Sequence, residues 1–207
     1  MLLSFIPDWA LLTERYINFS KYIVTMVHRY EQKLTSLQQE LLRLMFRKAG
    51  TPLNQRQIAN LLNVTQPAVK KALPCLEEQK LISVQQDRMT KRWAIELNQS
   101  SQEAMHLKRV DNLKQLYESG LVDYLEKECV GGTILLFGSY SRGEDLVNSD
   151  IDIAIIGRKE KRIAVSPFEK MLERKIHLTF FHSVRNIDKN MLDSLCNGIV
   201  LVGGVEL

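Results

Sequence analysis

The sequence predicts an α+β chain, a helical N-terminal region followed by a layered domain of helices and strands. Two observations predict it. Apolar residues recur at three- and four-residue spacings through the first part of the chain, the period of an amphipathic helix. After residue 104 a helical pattern gives way to three short apolar runs, at 133–137, 151–156 and 176–181, each of strand length. The polar stretch Asn98-Gln99-Ser100-Ser101-Gln102 separates the two parts and marks a domain boundary.

Within the first part, residues 8–31 place Leu11, Leu12, Tyr16, Phe19, Ile23, Met26, Val27 and Tyr30 on one helical face. Asp8, Glu14, Arg15 and Lys21 interrupt this segment, so no uncharged run approaches the ~20 residues of a spanning helix. It has neither the basic start nor the small-residue cleavage site of a signal peptide. A soluble, cytoplasmic protein that engages no membrane is expected. Residues 1–33 then form an N-terminal helix that either builds a dimer or packs within its own chain. A second helix is predicted over 36–48 from Leu37, Leu41, Leu42, Met45 and Phe46, with Gly50 as its stop. Cys75, Cys129 and Cys196 are widely spaced with no C-x-x-C pair, which excludes a disulfide framework or a zinc site and suits a reducing compartment.

Charge is unevenly distributed. The whole chain carries +4, but residues 34–97 hold ten Lys/Arg against five Asp/Glu, while residues 105–207 hold fourteen against fifteen. The basic excess sits in one segment, as expected of one that meets a phosphate backbone. That segment contains NQRQIANLLNVTQPAVKKALPCLEEQKLI. Asn54 is a good N-cap for a short helix with Ile58, Leu61 and Leu62 on one face. Asn63 tolerates the left-handed conformation that ends it. Thr65 caps a second helix whose first turn holds Gln66 and Pro67, where proline is tolerated. Val69, Leu73 and Leu76 would pack inward, leaving Gln66, Lys70 and Lys71 outside for base-edge and phosphate contacts. A hairpin follows, 81–84 paired with 92–95, its tip carrying Arg88, Lys91 and Arg92.

Two short helices on a tight turn followed by a basic hairpin resemble the winged helix-turn-helix of prokaryotic transcription regulators, notably the MarR-like group. The resemblance covers residues 34–97. It implies double-stranded DNA as partner and, because palindromic operators present two half-sites, a homodimer.

In the second part, a single long helix is expected from about 104 to 128 ahead of the first strand. The sharpest pattern in the chain comes next: GSYSRGEDLVNSDIDIAII, residues 138–156. A glycine after a strand lets backbone approach a phosphate, and Ser139 can donate to it. Asp150 and Asp152 flank Ile151 at strand spacing, so both carboxylates face one cleft and are candidate catalytic residues and ligands for Mg²⁺.

An apolar strand, Gly-Ser, a short spacer and Asp-x-Asp in a second apolar strand resemble the DNA polymerase β-like nucleotidyltransferases, in their minimal form. The resemblance covers about 130–203. It implies a small domain with a mixed sheet over 104–207, and a nucleoside triphosphate, ATP in the first instance, bound with Mg²⁺. Gly138, Ser139, Arg142 and Gly143 match the group's Gly-Ser-x-x-Arg-Gly form and would bind the nucleotide. One departure stands out: the group has a third acidic residue on a later strand, and the corresponding position here is His177. Imidazole is a poor ligand for a hard cation. Neither Glu173 nor Asp188 sits in the expected strand setting.

Three functions follow from these motifs. The first is a DNA-binding transcription regulator whose second domain binds nucleotide or has kept only the fold. The second is an active Mg²⁺-dependent transferase of a nucleoside monophosphate to a protein or small molecule. The third is an interaction module like the nucleotidyltransferase-type antitoxins, with a protein partner.

Overall fold

Helix ends in the first lobe follow the capping chemistry of the sequence. A computed structural model of the chain describes residues 33–86 and 93–204. The helix expected over 8–31 and the hairpin-tip residues Arg88, Lys91 and Arg92 lie outside the described residues. Helix α1, Ser36–Arg47, opens with a capping box: Thr35 accepts from the Gln38 backbone while the Gln38 side chain accepts from Thr35. Helix α2, Gln55–Leu61, repeats the device with Asn54 and Gln57. Asn63, at φ 54°, turns the chain, and Thr65 caps helix α3, Gln66–Glu78. Strands β1, Ile82–Gln86, and β2, Trp93–Leu97, form an antiparallel hairpin, to which Leu53 adds a bridge opposite Ile95. The winged helix-turn-helix arrangement is therefore present, closed over a core that includes Leu41, Met45, Ile58, Val69, Leu76 and Ile95.

The second lobe departs from expectation at its first helix. The run expected as one helix over 104–128 is two, α4 (Gln102–Glu118) and α5 (Leu121–Glu128). Gly120, at φ 75°, takes the left-handed conformation between them, where a side chain would be strained. Strand β3, Thr133–Phe137, runs into the short helix α6, Gly138–Arg142. Strand β4, Ile151–Ile156, helix α7, Ser166–Leu172, and strand β5, Ile176–Phe181, follow. Helix α8, Lys189–Cys196, and strand β6, Ile199–Val202, complete the lobe. The sheet order is β5-β4-β3-β6, with β4 and β5 parallel and the other pairs antiparallel. Both faces are covered. Ile134, Leu136, Ile153 and Ile155 pack with α4 and α5 residues, while Leu135, Phe137, Ala154 and Ile156 pack with Ile187 and Leu195. This double burial explains why β3 and β4 read as continuous apolar runs rather than alternating ones. No helix among the described residues is long and apolar enough to cross a membrane.

Helix α4 belongs to both lobes. Ala104 and Leu107 are buried in the first core and Leu116 in the second, so the cores divide inside α4, beyond the polar stretch at 98–102. Between them Lys108 is fully buried. Its ammonium lies 2.5 Å from Asp145 Oδ1 and also donates to the Asp145 carbonyl. Asn112 donates to the same carboxylate at 2.7 Å and to the Tyr140 carbonyl at 3.0 Å. Arg174 stands 3.7 Å from the other Asp145 oxygen and donates at 3.0 Å to the carbonyl of Arg47, at the end of α1. Burial lowers the Lys108 pKa, and Asp145 opposes that shift. A buried pair deprived of one partner leaves a charge without water or counter-ion. Lys108→Met should therefore lower the unfolding free energy by about 3–5 kcal/mol in urea denaturation; an unchanged midpoint would show that the pair contributes nothing.

Candidate functional site

On α3 the predicted division between inside and outside holds. Val69, Leu73 and Leu76 are buried, while Gln66, Lys70 and Lys71 are exposed. Glu77 and Glu78, also exposed, sit at the far end of the helix. Within α3 the exposed cations thus lie in the N-terminal half, the part that reaches base edges when a recognition helix enters the major groove. Arg56, exposed on α2, adds a further cation. Its signal in the sequence is its place on the first helix of the motif, the one that crosses the backbone in DNA-bound helix-turn-helix proteins.

The second constellation forms where β3 ends. Gly138 has φ 73°, and a Cβ on it would collide with the Asp152 carboxylate, lying 3.3 Å from Cγ. Only glycine fits there, and the Gly-Ser turn is pressed directly against Asp152. The sheet register brings them together, since Phe137 pairs with Asp152 across the antiparallel β3–β4 ladder. Ser139 is half-buried, and the Ser141 hydroxyl donates to the Gly138 carbonyl at 2.8 Å. Arg142 is turned outward and pairs with Glu144 at 2.7 Å. Gly143, at φ 77°, has no room for a Cβ: it would meet the Met105 carbonyl and lie 2.8 Å from Arg109 N. That glycine is accounted for by close packing on the α4 backbone.

Asp150 lies exposed just before β4, and Asp152 is half-buried within it. His177 is the Cα partner of Asp152 in the parallel β4–β5 ladder, so the two share one sheet face. The position expected to be acidic therefore does adjoin Asp152, and it carries an exposed imidazole. The Asp152 pKa is raised, first by burial; His177 opposes the shift and Asp150 adds to it. Among the described residues no three His, Cys, Asp or Glu side chains are grouped to hold a metal ion. What remains is a pair of carboxylates two residues apart. That set fits Mg²⁺ in its usual mode, held by one or two carboxylates with the remaining positions left to phosphate oxygens and water.

Residues 119–193 match the family model of the nucleotidyltransferase domain. The chain thus carries such a domain, and the match begins where α4 ends. Among solved structures, the multidrug efflux pump regulator MepR of Staphylococcus aureus is 23% identical over 59% of this chain and 87% of its own, with a TM-score of 0.38. A MepR–DNA complex is 25% identical over 57% of this chain and 98% of its own, with a TM-score of 0.36. The adhesin competence repressor AdcR of Streptococcus pyogenes is 23% identical over 56% and 82%, with a TM-score of 0.32. Comparison with curated proteins found no match.

The raised pKa of Asp152 has a consequence for stability. Above that pKa the folded state holds a carboxylate it disfavours, a penalty absent once both states are protonated. Asp152→Asn should raise the melting temperature at neutral pH, with the gain vanishing as pH falls below about 4, the ordinary aspartate range. A gain that grew on acidification would contradict the assignment.

Proposed function

We propose that the chain is a DNA-binding transcription regulator whose nucleotidyltransferase domain holds a nucleoside triphosphate with Mg²⁺ as a signal. The observation that carries the reading is the exposed N-terminal half of α3, where Gln66, Lys70 and Lys71 project from a helix anchored by Val69, Leu73 and Leu76. Lys70 and Lys71 suit phosphate oxygens and Gln66 suits a base edge. Glu77 and Glu78 repel phosphate at the other end, which favours entry by the N-terminal end. Arg88, Lys91 and Arg92, which follow β1 and precede β2 in the sequence, would track the backbone or enter the minor groove. Two copies are needed for a palindromic site, with residues 1–33 as the dimer-forming element.

The nucleotide half rests on Gly138 against Asp152 and on the family match. Asp150 and Asp152 would hold Mg²⁺, which supplies charge neutralisation for the phosphates when bound. Gly138 keeps the backbone free of a side chain where the phosphates approach, and Ser139 offers a hydroxyl donor. Binding without transfer is favoured by His177: where a third carboxylate would complete the metal site, this chain presents a nitrogen donor. Label transfer from a triphosphate to the chain or to an added acceptor would contradict that part of the reading.

The DNA half is tested by binding to duplex DNA over a salt series. Lys70→Ala should weaken binding and reduce the magnitude of the log–log salt slope by about one. An unchanged slope and affinity would remove α3 from the interface.

A further inference from the structure

We propose that occupancy of the nucleotide site is transmitted to the helix-turn-helix through residues 143–150, the loop between the Gly-Ser turn and Asp150. The inference rests on the reading that this site binds nucleotide. At its start Glu144 N donates to the Ser139 carbonyl at 3.0 Å, and its last residue is Asp150, two before Asp152. Its middle is docked on the other lobe. Val147 N donates to the Ala49 carbonyl at 3.0 Å. The Leu146 side chain covers Gly50 so closely that a Cβ there would lie 3.1 Å from it. The docked turn is itself closed, since Leu146 N donates to Ser149 Oγ at 2.9 Å and Ser149 N to the Leu146 carbonyl at 3.0 Å.

The receiving segment is short and well placed. The nucleotidyltransferase lobe holds four consecutive residues of the first lobe. Arg47 is held through its carbonyl by Arg174, Lys48 by Glu173 at 3.2 Å, Ala49 by Val147 and Gly50 by Leu146. Three residues on, Leu53 bridges to Ile95 of the wing, and Asn54 caps α2. A displacement of residues 47–50 therefore reaches both the wing and the first helix of the motif. On the other side, Asp145 is fixed by Lys108, Asn112 and Arg174, so the loop is braced along its length.

A nucleotide held at Ser139 and Asp150 restricts the loop where it joins the site. Under this proposal residues 47–50 are steadied before DNA arrives, so that DNA binding costs less ordering, which is positive coupling without a large structural change. Linkage makes the effect reciprocal: the factor by which nucleotide tightens DNA equals the factor by which DNA tightens nucleotide.

The test uses the full chain. Binding of each of the four nucleoside triphosphates with Mg²⁺ is measured directly by calorimetry, and duplex DNA affinity is measured with and without the triphosphate that binds. The expected result is about 5-fold or greater tightening of DNA, with the same factor in the reverse titration. Leu146→Ala trims a half-exposed side chain outside both cores, so each ligand alone should bind as before while the coupling factor falls towards one. Nucleotide and DNA that both bind without affecting each other would overturn the inference and leave the functional reading intact. Loosening of DNA, or full coupling in the Leu146 variant, would also overturn it. Failure of every triphosphate to bind would sink the nucleotide reading itself, and this inference with it.

Discussion

One buried lysine constrains both halves of this molecule. Lys108 lies inside helix α4, shielded from water, and an ammonium there needs a partner held in good geometry. Asp145 is that partner, which forces the segment after α6 to run beneath α4 and not out into solvent. Gly143 makes the close approach feasible, because its Cα faces the α4 backbone. The course of the loop then sets where Asp150 and β4 begin. Arg174, drawn to the same carboxylate, carries the network on to the end of α1. The charge pair thereby anchors the loop that leads to Asp150 and rests on the residues after α1.

Acidic residues of one short stretch have opposite fates. Asp145 is buried among a lysine, an arginine and an asparagine amide, its charge fully engaged. Asp150 and Asp152 have no such enclosure. Asp152 is partly desolvated beside a second carboxylate, and its pKa rises accordingly. A partly buried carboxylate with a second one nearby, offset only by the exposed His177, lowers stability locally, the compromise common at functional sites.

Much of this was written locally in the sequence. The helix-turn-helix could be read because Asn54, Asn63 and Thr65 perform their roles within a few residues of themselves. Strands β3, β4 and β5 could be read because burial on both faces leaves an unbroken apolar run. The Gly-Ser and Asp-x-Asp pairs were recognisable by spacing, although the contact between Gly138 and Asp152 appears only once β3 and β4 pair. What escaped depends on distant partners. Lys108 looks like any solvent-facing lysine of an amphipathic helix until Asp145, thirty-seven residues away, is brought to it. The packing of Gly143 against the α4 backbone likewise depends on a segment more than thirty residues earlier in the chain. The division of cores within α4 was hidden because the polar run at 98–102 marks a turn in the chain, while Ala104 and Leu107 still face the first lobe. Gly120 was visible, but the apolar pattern on either side concealed the break it makes.

Through the Lys108–Asp145–Arg174 network the two lobes are expected to unfold as one cooperative body. Scanning calorimetry of the full chain tests it most directly. A single transition, with calorimetric and van't Hoff enthalpies equal, is the predicted result. Two resolved transitions, one for the winged helix and one for the nucleotidyltransferase domain, would contradict it.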